Sequence, residues 1–195
     1  AGLRPILSTF LVVLLPLAIL CAVFGVWASG ALLHVLHTPE NILAFAGDYL
    51  RIIFIGVPFL AVYNLYSALL RAMGDSRAPF YAVVVSSLAN VALDLWFVAG
   101  LGWQVAGAAA ATVLSQGAMA LFILVYAHRR YPLLRLSLKE PLFCREDFAQ
   151  GLRFGLPPAL QFSVTAGGNI ALQNFMNGFG SHTVAAITTA YRVDT

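Results

Sequence analysis

The stretch PILSTFLVVLLPLAILCAVFGVWASGALL, residues 5–33, contains no aspartate, glutamate, lysine, arginine or histidine. A helix that crosses a lipid bilayer needs roughly 20 consecutive, mostly apolar residues, and this stretch is longer than that. Three further uncharged stretches follow at residues 52–70, 78–93 and 95–127, and the last two are separated only by Asp94. The pattern predicts an all-α fold, a polytopic bundle of transmembrane helices.

The composition of the whole chain supports this fold class. Of 195 residues, 61% are hydrophobic and only 10% are charged, whereas a soluble domain carries about 25% charged residues. This excludes a disordered chain, a nucleic-acid-binding domain and an ordinary cytosolic enzyme. The net charge of +3 is small and dispersed along the chain, so we expect the lipid bilayer, and no nucleic acid, among the partners.

We predict five complete spans and the start of a sixth. Long β-barrel strands fit less well, because the apolar runs are continuous and do not alternate. Prolines inside or at the start of spans, such as Pro16 and Pro58, allow kinks where they free backbone carbonyls. The predicted spans are near residues 8–30, 50–71, 79–100, 104–127 and 154–177, with the sixth starting near residue 183.

The basic residues predict the orientation of these spans. Cytoplasmic connections carry an excess of lysine and arginine. Counted from the chain start through the connections at residues 31–48, 71–78, 100–104 and 128–153, the numbers of these residues are 1, 0, 2, 0 and 6. The chain start and the connections 71–78 and 128–153 are therefore predicted to be cytoplasmic.

The segment 128–153 is the only polar segment longer than a turn, and we predict the domain boundary there. The expected division is residues 1–133 for the end of one lobe, 134–148 for a cytoplasmic linker, and 149–195 for the start of a second lobe. Because the first residue is not methionine and the last residues fall inside an apolar run, we expect a piece of a longer protein.

Asp94 is the most informative polar residue within the predicted spans. An ionisable side chain at membrane depth costs about 2.5–3.5 kcal/mol on insertion scales and usually faces a bundle interior or a cavity. Asn90 and Ser86 precede it by one and two helical turns, so the three share a face. Carboxylate, amide and hydroxyl oxygens can bind a bare Na⁺, and a carboxyl group removed from water can take up a proton instead. The alternative is an interhelical hydrogen bond.

Other polar residues leave packing and ligand binding open. Asn64 in the second span fits either role, and the polar patch at Thr112, Ser115 and Gln116 in the fourth span fits helix packing when taken alone. In the fifth span, polar residues recur every four positions and wind through roughly 160°. This stripe suits a water-filled cavity for varied ligands as well as helix–helix hydrogen bonding. It consists of Gln161, Thr165, Asn169, Gln173 and Asn177.

No catalytic or metal-binding motif is present in the sequence. There is no His-Glu-x-x-His sequence, no nucleophile elbow and no glycine-rich phosphate loop, and Cys21 and Cys144 form no metal or redox spacing. We therefore predict a protein that is not an enzyme and that needs no cofactor or metal.

The ordered motifs of the chain resemble those of the multidrug and toxic compound extrusion (MATE) transporters. The segment LLRAMGDSRAP, residues 69–79, resembles the loop after that family's fourth helix, and NVALD, residues 90–94, looks like its fifth-helix motif. Residues 105–116 are similar to its sixth helix. Further similarity is found at Gly155-Leu156-Pro157, Gln161, Gly180, Val184-Ala185-Ala186 and Tyr191-Arg192-Val193-Asp194.

The resemblance implies twelve helices in two lobes of six, with a central cavity that opens alternately to either side. This chain would hold helices three to seven and the start of the eighth. By the same resemblance, Asp94, Asn90 and Thr112 match an N-lobe site for H⁺ or Na⁺, and Asn64 matches a fourth-helix asparagine. Some branches carry a glutamate where this chain has Thr165, so coupling through the N-lobe is favoured.

The resemblance also implies a function. We expect a secondary antiporter in a bacterial inner (plasma) membrane that exports amphipathic or cationic drugs in exchange for H⁺ or Na⁺. Its partners would be these small molecules and the remaining helices of the full-length transporter. The substrate cavity is expected to include Gln161, Thr165, Asn169, Gln173 and Gln116.

Two alternatives remain at this point. A lipid-linked oligosaccharide flippase of the same wider superfamily would be expected to line its cavity with basic residues for pyrophosphate. Here only Arg51 and Arg192 are candidates, near span ends. A non-transporting membrane scaffold would show no ion-dependent conformational change.

Overall fold

The computed structural model describes residues 3–35, 40–134 and 143–177, and within these ranges every regular element is helical. The all-α prediction is therefore confirmed. A π-helical segment, Leu95–Gly100, continues α4, and a short 3₁₀ turn, Pro132–Leu134, follows α5. The helices are α1 Leu3–Val35, α2 Glu40–Ile55, α3 Val57–Ala72, α4 Arg77–Asp94, α5 Gln104–Arg130 and α6 Arg145–Asn177.

Four helical stretches in the described part are long and apolar enough to cross a bilayer, which makes this a multi-pass membrane chain. They agree with the first four predicted spans and are Leu3–His34, Leu43–Ala72, Arg77–Gly100 and Gln104–Arg130. Helix α6 contains the predicted fifth span but is not one of the four, so its crossing stays a prediction. The predicted sixth span lies outside the described residues.

The connection predicted at residues 31–48 is shorter than expected. Helix α1 continues to Val35, α2 begins at Glu40, and the second membrane-spanning stretch begins at Leu43 instead of near residue 50. The sequence Thr38-Pro39-Glu40 itself predicts a helix start, with an N-cap candidate, a proline at the first helical position and an acid near the positive helix end. Of these three residues, the structure describes only Glu40, where the helix begins. Asp48 lies within α2, and its Oδ1 is 3.6 Å from the Arg51 guanidinium one turn later.

The predicted kink near Pro58 is present as a break between α2 and α3. Proline has no backbone N–H and cannot continue the hydrogen-bond ladder of the preceding turn. The Gly56 amide instead donates to the Ile53 carbonyl over 2.9 Å, and the Phe59 and Leu60 amides donate to the Gly56 carbonyl. One predicted span is thus built from two helices joined at Gly56.

Contacts between Cα atoms divide the chain into two compact units, residues 1–148 and 149–195. The core of the first unit lies where α1, α3, α4 and α5 meet. Small side chains on α4 and α5 let the helices approach closely, which is the usual basis of packing in membranes. The fully enclosed core residues are Leu7, Tyr66, Leu70, Ala78, Ala82, Ile123, Ala127 and Leu134.

Asp75 joins α4 and the end of α5 at the predicted cytoplasmic end of the first unit. Its Oδ1 accepts the backbone amides of Arg77 and Ala78, each over 3.1 Å. Its Oδ2 accepts the hydroxyls of Tyr126 over 3.0 Å and Tyr131 over 2.8 Å. The carboxylate thereby caps the start of α4 and fastens it to the end of α5.

Two further hydrogen bonds connect the described parts of the polar segment 128–153, on either side of residues 135–142, to α1. An Arg4 guanidinium nitrogen donates to the Pro132 carbonyl over 3.1 Å, and the Cys144 amide donates to the Thr9 hydroxyl over 2.8 Å. Residues on both sides of the undescribed part of this segment therefore belong to the first unit. The domain boundaries predicted from the sequence remain predictions.

Candidate cation site at the end of α4

Asp94 is the last α-helical residue of α4, and the π-helical segment begins immediately after it. The segment closes with the Leu101 amide donating to the Trp96 carbonyl over 2.9 Å, five residues back. Short π-helical segments inside helices are rare and occur frequently at functional sites. The apolar run that forms this segment gave no signal for it.

Aromatic stacking holds the π-helical segment against the start of α5. The ring of Phe97 stacks between those of Trp96 and Trp103, with centroid distances of 5.4 and 5.2 Å. Gly107 permits this approach, because a Cβ there would lie 3.0 Å from the Trp103 Cβ and 3.2 Å from the Phe97 Cβ. The backbone that follows Asp94 is therefore fixed by packing.

The Asp94 side chain is half-buried, and its Oδ1 atom is fully buried without a hydrogen-bond partner among the described residues. An unpaired polar atom away from water costs about 1–3 kcal/mol, and more when it is charged. A proton or a bound cation would satisfy this oxygen. That is the chemistry expected of a site that takes up and releases a small cation.

The neighbouring candidate residues lie on the two helices that pack together most extensively in the described part, α4 and α5. Asn90 is half-buried on α4, one turn before Asp94. Thr112 is half-buried on α5, and its hydroxyl donates to the Ala108 carbonyl over 2.9 Å. That hydroxyl oxygen therefore keeps its lone pairs available as an acceptor.

Gln116, one turn after Thr112, has a buried Oε1 atom that also lacks a hydrogen-bond partner in the described part of the chain. Its amide packs against the backbone of Gly56, where a Cβ would overlap with it. The sequence indicated a polar patch here but not this contact. The break between α2 and α3 thus places a second unsatisfied acceptor inside the first unit.

Asn64 is exposed on α3 and lines a groove of about 690 Å³ whose walls come from α1 and α3. Its grouping with Asp94 in one site stays a prediction.

The second unit contains the polar stripe of the predicted fifth span. Gln161, Thr165 and Asn169 are exposed on α6, and the Thr165 hydroxyl donates to the Gln161 carbonyl over 2.9 Å. Gln173 lies in the same helix, and its side chain is outside the described part. Among the described residues, no group of three histidine, cysteine or acidic side chains could hold a metal ion.

The MatE family model matches residues 1–96 of the chain. The "Probable multidrug resistance protein YpnP" of Bacillus subtilis is 35% identical over 194 residues, which is 99% of this chain and 43% of that protein. A crystal structure of MATE in complex with MaD3S superimposes with a TM-score of 0.87 at 26% identity, over 97% of this chain and 43% of its own.

Another solved structure, a MOP superfamily transporter from Pyrococcus furiosus, gives a TM-score of 0.87 at 27% identity over 98% of this chain and 43% of its own. Its description states that the reverse polarity of its binding pocket suggests a different function. This chain thus spans under half the length of the relatives it matches. The ordered motifs, the helical bundle and these similarities together place it in the multidrug and toxic compound extrusion (MATE) family.

Proposed function

We propose that the full-length transporter exports amphipathic or cationic compounds across a bacterial plasma membrane in exchange for H⁺ or Na⁺, and that Asp94 binds the coupling ion. The observation that carries this proposal is the buried Oδ1 atom of Asp94, which has no hydrogen-bond partner among the described residues. Asn90 and Thr112 are proposed as further oxygen ligands, since they lie on the same pair of packed helices. Asn64 is proposed as a ligand through the family resemblance, and it lines a groove between α1 and α3.

The proposed coupling of ion binding to conformational change follows from the free energy that an unoccupied site at Asp94 costs. With a proton or Na⁺ bound, the buried Oδ1 atom of Asp94 is satisfied, which favours the present packing of α4 on α5. When the ion leaves, this oxygen remains unsatisfied away from water, which favours a conformation that hydrates it. An ion can shift the conformational equilibrium only because it binds one conformation more tightly than the other.

We also propose how the parts of the chain are distributed between the two lobes of the transporter. We propose that residues 1–133 form helices three to six of the N-lobe, that 134–148 link the lobes in the cytoplasm, and that 149–195 begin the C-lobe. The exposed polar stripe of α6 is proposed to contribute amide groups to the substrate cavity of the full-length transporter. Gln116 on α5 stays a proposed cavity residue from the sequence. An uncharged polar wall suits ligands of varied shape, held by a few hydrogen bonds.

Replacing Asp94 by asparagine in the full-length transporter tests the proposal. In proteoliposomes, Asp94→Asn should abolish drug movement driven by an imposed H⁺ or Na⁺ gradient while leaving membrane insertion intact. Asp48→Asn is the matched control, because it removes the same charge from an exposed position in the middle of α2. Gradient-driven transport by the Asp94→Asn protein at the unaltered rate would disprove the proposal.

The flippase alternative has less support in the described spans. Arg51 is the only lysine or arginine of the described spans that lies away from a span end. Its Nε donates to the Ser29 hydroxyl over 3.3 Å, and its guanidinium is 3.6 Å from the Asp48 carboxylate. The interiors of the described spans therefore offer no free basic side chain to a pyrophosphate. Drug export accordingly remains the proposed activity.

A further inference from the structure

A groove runs along the outer face of α5 toward its predicted cytoplasmic end. It has a volume of about 630 Å³ and is lined almost entirely by apolar atoms. Two parallel ridges form its sides, each made of residues four apart in the helix. One ridge is Leu121, Val125 and Arg129, the other is Phe122, Tyr126 and Arg130, and Ala118 lies at the end away from the arginines.

Packing fixes the shape of this groove. The rings of Phe122 and Tyr126 stack with centroids 6.2 Å apart, and the Tyr126 hydroxyl is held by the Asp75 carboxylate. The opposite face of α5, with Ile123 and Ala127, is in the core of the first unit. The groove is therefore a surface feature on a rigid helix.

Both arginines at the mouth of the groove are exposed and lack a carboxylate partner within the described part of the chain. The nearest acidic group to the Tyr126 ridge, Asp75, already accepts four hydrogen bonds. Each arginine stands at the end of one of the two ridges, and a guanidinium group binds a phosphate through paired hydrogen bonds. The mouth thus offers positive charge that nothing in the described part neutralises.

The dimensions of the groove match one leaflet of a membrane. From Ala118 to Arg129 the helix rises about 16 Å at 1.5 Å per residue, and half of a hydrocarbon core of about 30 Å is about 15 Å. A chain lying in the groove with its phosphate at the arginines would reach from the headgroup level to the middle of the bilayer. A soluble drug would not need this combination of length and polarity.

We propose that this groove binds an anionic phospholipid of the inner leaflet, with the phosphate held by Arg129 and Arg130 and an acyl chain lying between the two ridges. Basic clusters on the cytoplasmic side of membrane helices attract anionic lipid headgroups. The inference rests on the groove and the predicted orientation. It does not depend on ion coupling at Asp94.

Native mass spectrometry of the full-length protein, released from bilayers that contain phosphatidylglycerol and phosphatidylcholine, tests this inference. The unaltered protein should retain phosphatidylglycerol in preference to phosphatidylcholine. In the Arg129→Gln/Arg130→Gln variant, the ratio of retained phosphatidylglycerol to retained phosphatidylcholine should fall about tenfold. Arg71→Gln/Arg77→Gln is the matched control, because it removes two charges at the same membrane surface outside the groove. Leu121→Gln, which keeps both arginines, should also reduce retention by disturbing the acyl-chain ridge.

Three results would overturn the proposal. The first is equal retention of the two lipids by the unaltered protein, as expected if another helix of the transporter covers the groove. The second is undiminished phosphatidylglycerol retention by the double glutamine variant. The third is an equal loss in the Arg71→Gln/Arg77→Gln control, which would indicate general surface charge only. Arg129→Lys/Arg130→Lys keeps the charge and should retain most of the preference, which separates lost binding from misfolding.

Discussion

Asp75 illustrates how much of a membrane bundle can depend on one carboxylate outside the lipid. Burial by itself would raise its pKa, but hydrogen bonds from the Tyr131 hydroxyl, the Ala78 amide, the Tyr126 hydroxyl and the Arg77 amide outweigh this and hold the pKa below its usual value of 3.8. The sequence predicted a turn at residues 74–76. It could not predict the two tyrosines, which are more than 50 residues away and meet Asp75 only through the packing of α5.

Replacing Asp75 by asparagine should destabilise the protein. The amide nitrogen of asparagine cannot accept the hydrogen bonds that one carboxylate oxygen of Asp75 accepts. We therefore expect the free energy of unfolding to fall by about 1–2 kcal/mol, a figure that allows for solvent screening at a partly exposed site. Thermal unfolding in detergent measures this, with Tyr131→Phe as a milder variant that removes one donor. An unchanged unfolding temperature for Asp75→Asn would show that the cluster contributes nothing to stability.

The same residue predicts a pH dependence. Because the folded protein lowers the pKa of Asp75, its contribution to stability is complete above the unfolded value near 3.8 and is lost as pH falls through the lower folded value. The difference in unfolding temperature between the unaltered protein and Asp75→Asn should therefore be full at pH 7 and shrink as the pH drops below about 4. A difference that grew on acidification would contradict the assigned hydrogen bonds.

At the scale of elements, two interruptions of helices shape the interior of the first unit. Pro58 made a kink in the second span predictable, and the structure places it at Gly56. The π-helical segment after Asp94 was not predictable, because its sequence LWFVAG reads as an ordinary apolar helix. It is stabilised by the stacking of Phe97 on Trp103 and by the missing side chain at Gly107, all of which are tertiary contacts.

Gly56→Ala should destabilise the first unit by about 1–3 kcal/mol, as overpacking typically does. The added methyl group would overlap with the Gln116 amide and approach the Ile53 carbonyl. Gly30→Ala is the matched control, since a Cβ there meets nothing within 4 Å. Combining Gly56→Ala with Gln116→Ala should restore much of the lost stability in thermal unfolding. If Gly30→Ala and Gly56→Ala behaved alike, the contact between the helix break and α5 would be refuted.

For the molecule as a whole, the sequence predicted four spans and the family correctly. Charge-free runs and ordered motifs can be recognised in a single sequence, without knowledge of how the helices pack. The sequence predicted the helix start at Thr38-Pro39-Glu40 but placed the second span near residue 50, whereas the apolar helical stretch begins at Leu43. It grouped Asn64 with Asp94 through family resemblance, and this grouping stays a prediction; Asn64 lines a groove between α1 and α3. Which polar residues share a cavity depends on how helices rotate, and periodicity alone does not specify that.

The orientation of the spans gives a prediction for the intact membrane. In a background without Cys21 and Cys144, Ser76→Cys should be protected from a membrane-impermeant thiol reagent applied to whole cells. Leu101→Cys, which is also exposed in a connection but at the other end of α4 and its π-helical segment, should react. The reverse pattern would overturn the orientation and with it the proposed inner-leaflet lipid groove.

We propose that the Asp94 carboxylate binds the coupling ion reversibly. Direct binding to the purified full-length transporter tests it best, by following ²²Na⁺ retention and proton uptake on acidification in the unaltered protein, in Asp94→Asn and in Asp48→Asn. Asp94→Asn should lose one bound Na⁺ or one proton per transporter, while Asp48→Asn should retain it. Ion binding of equal stoichiometry and affinity in Asp94→Asn and the unaltered protein would refute the role of Asp94.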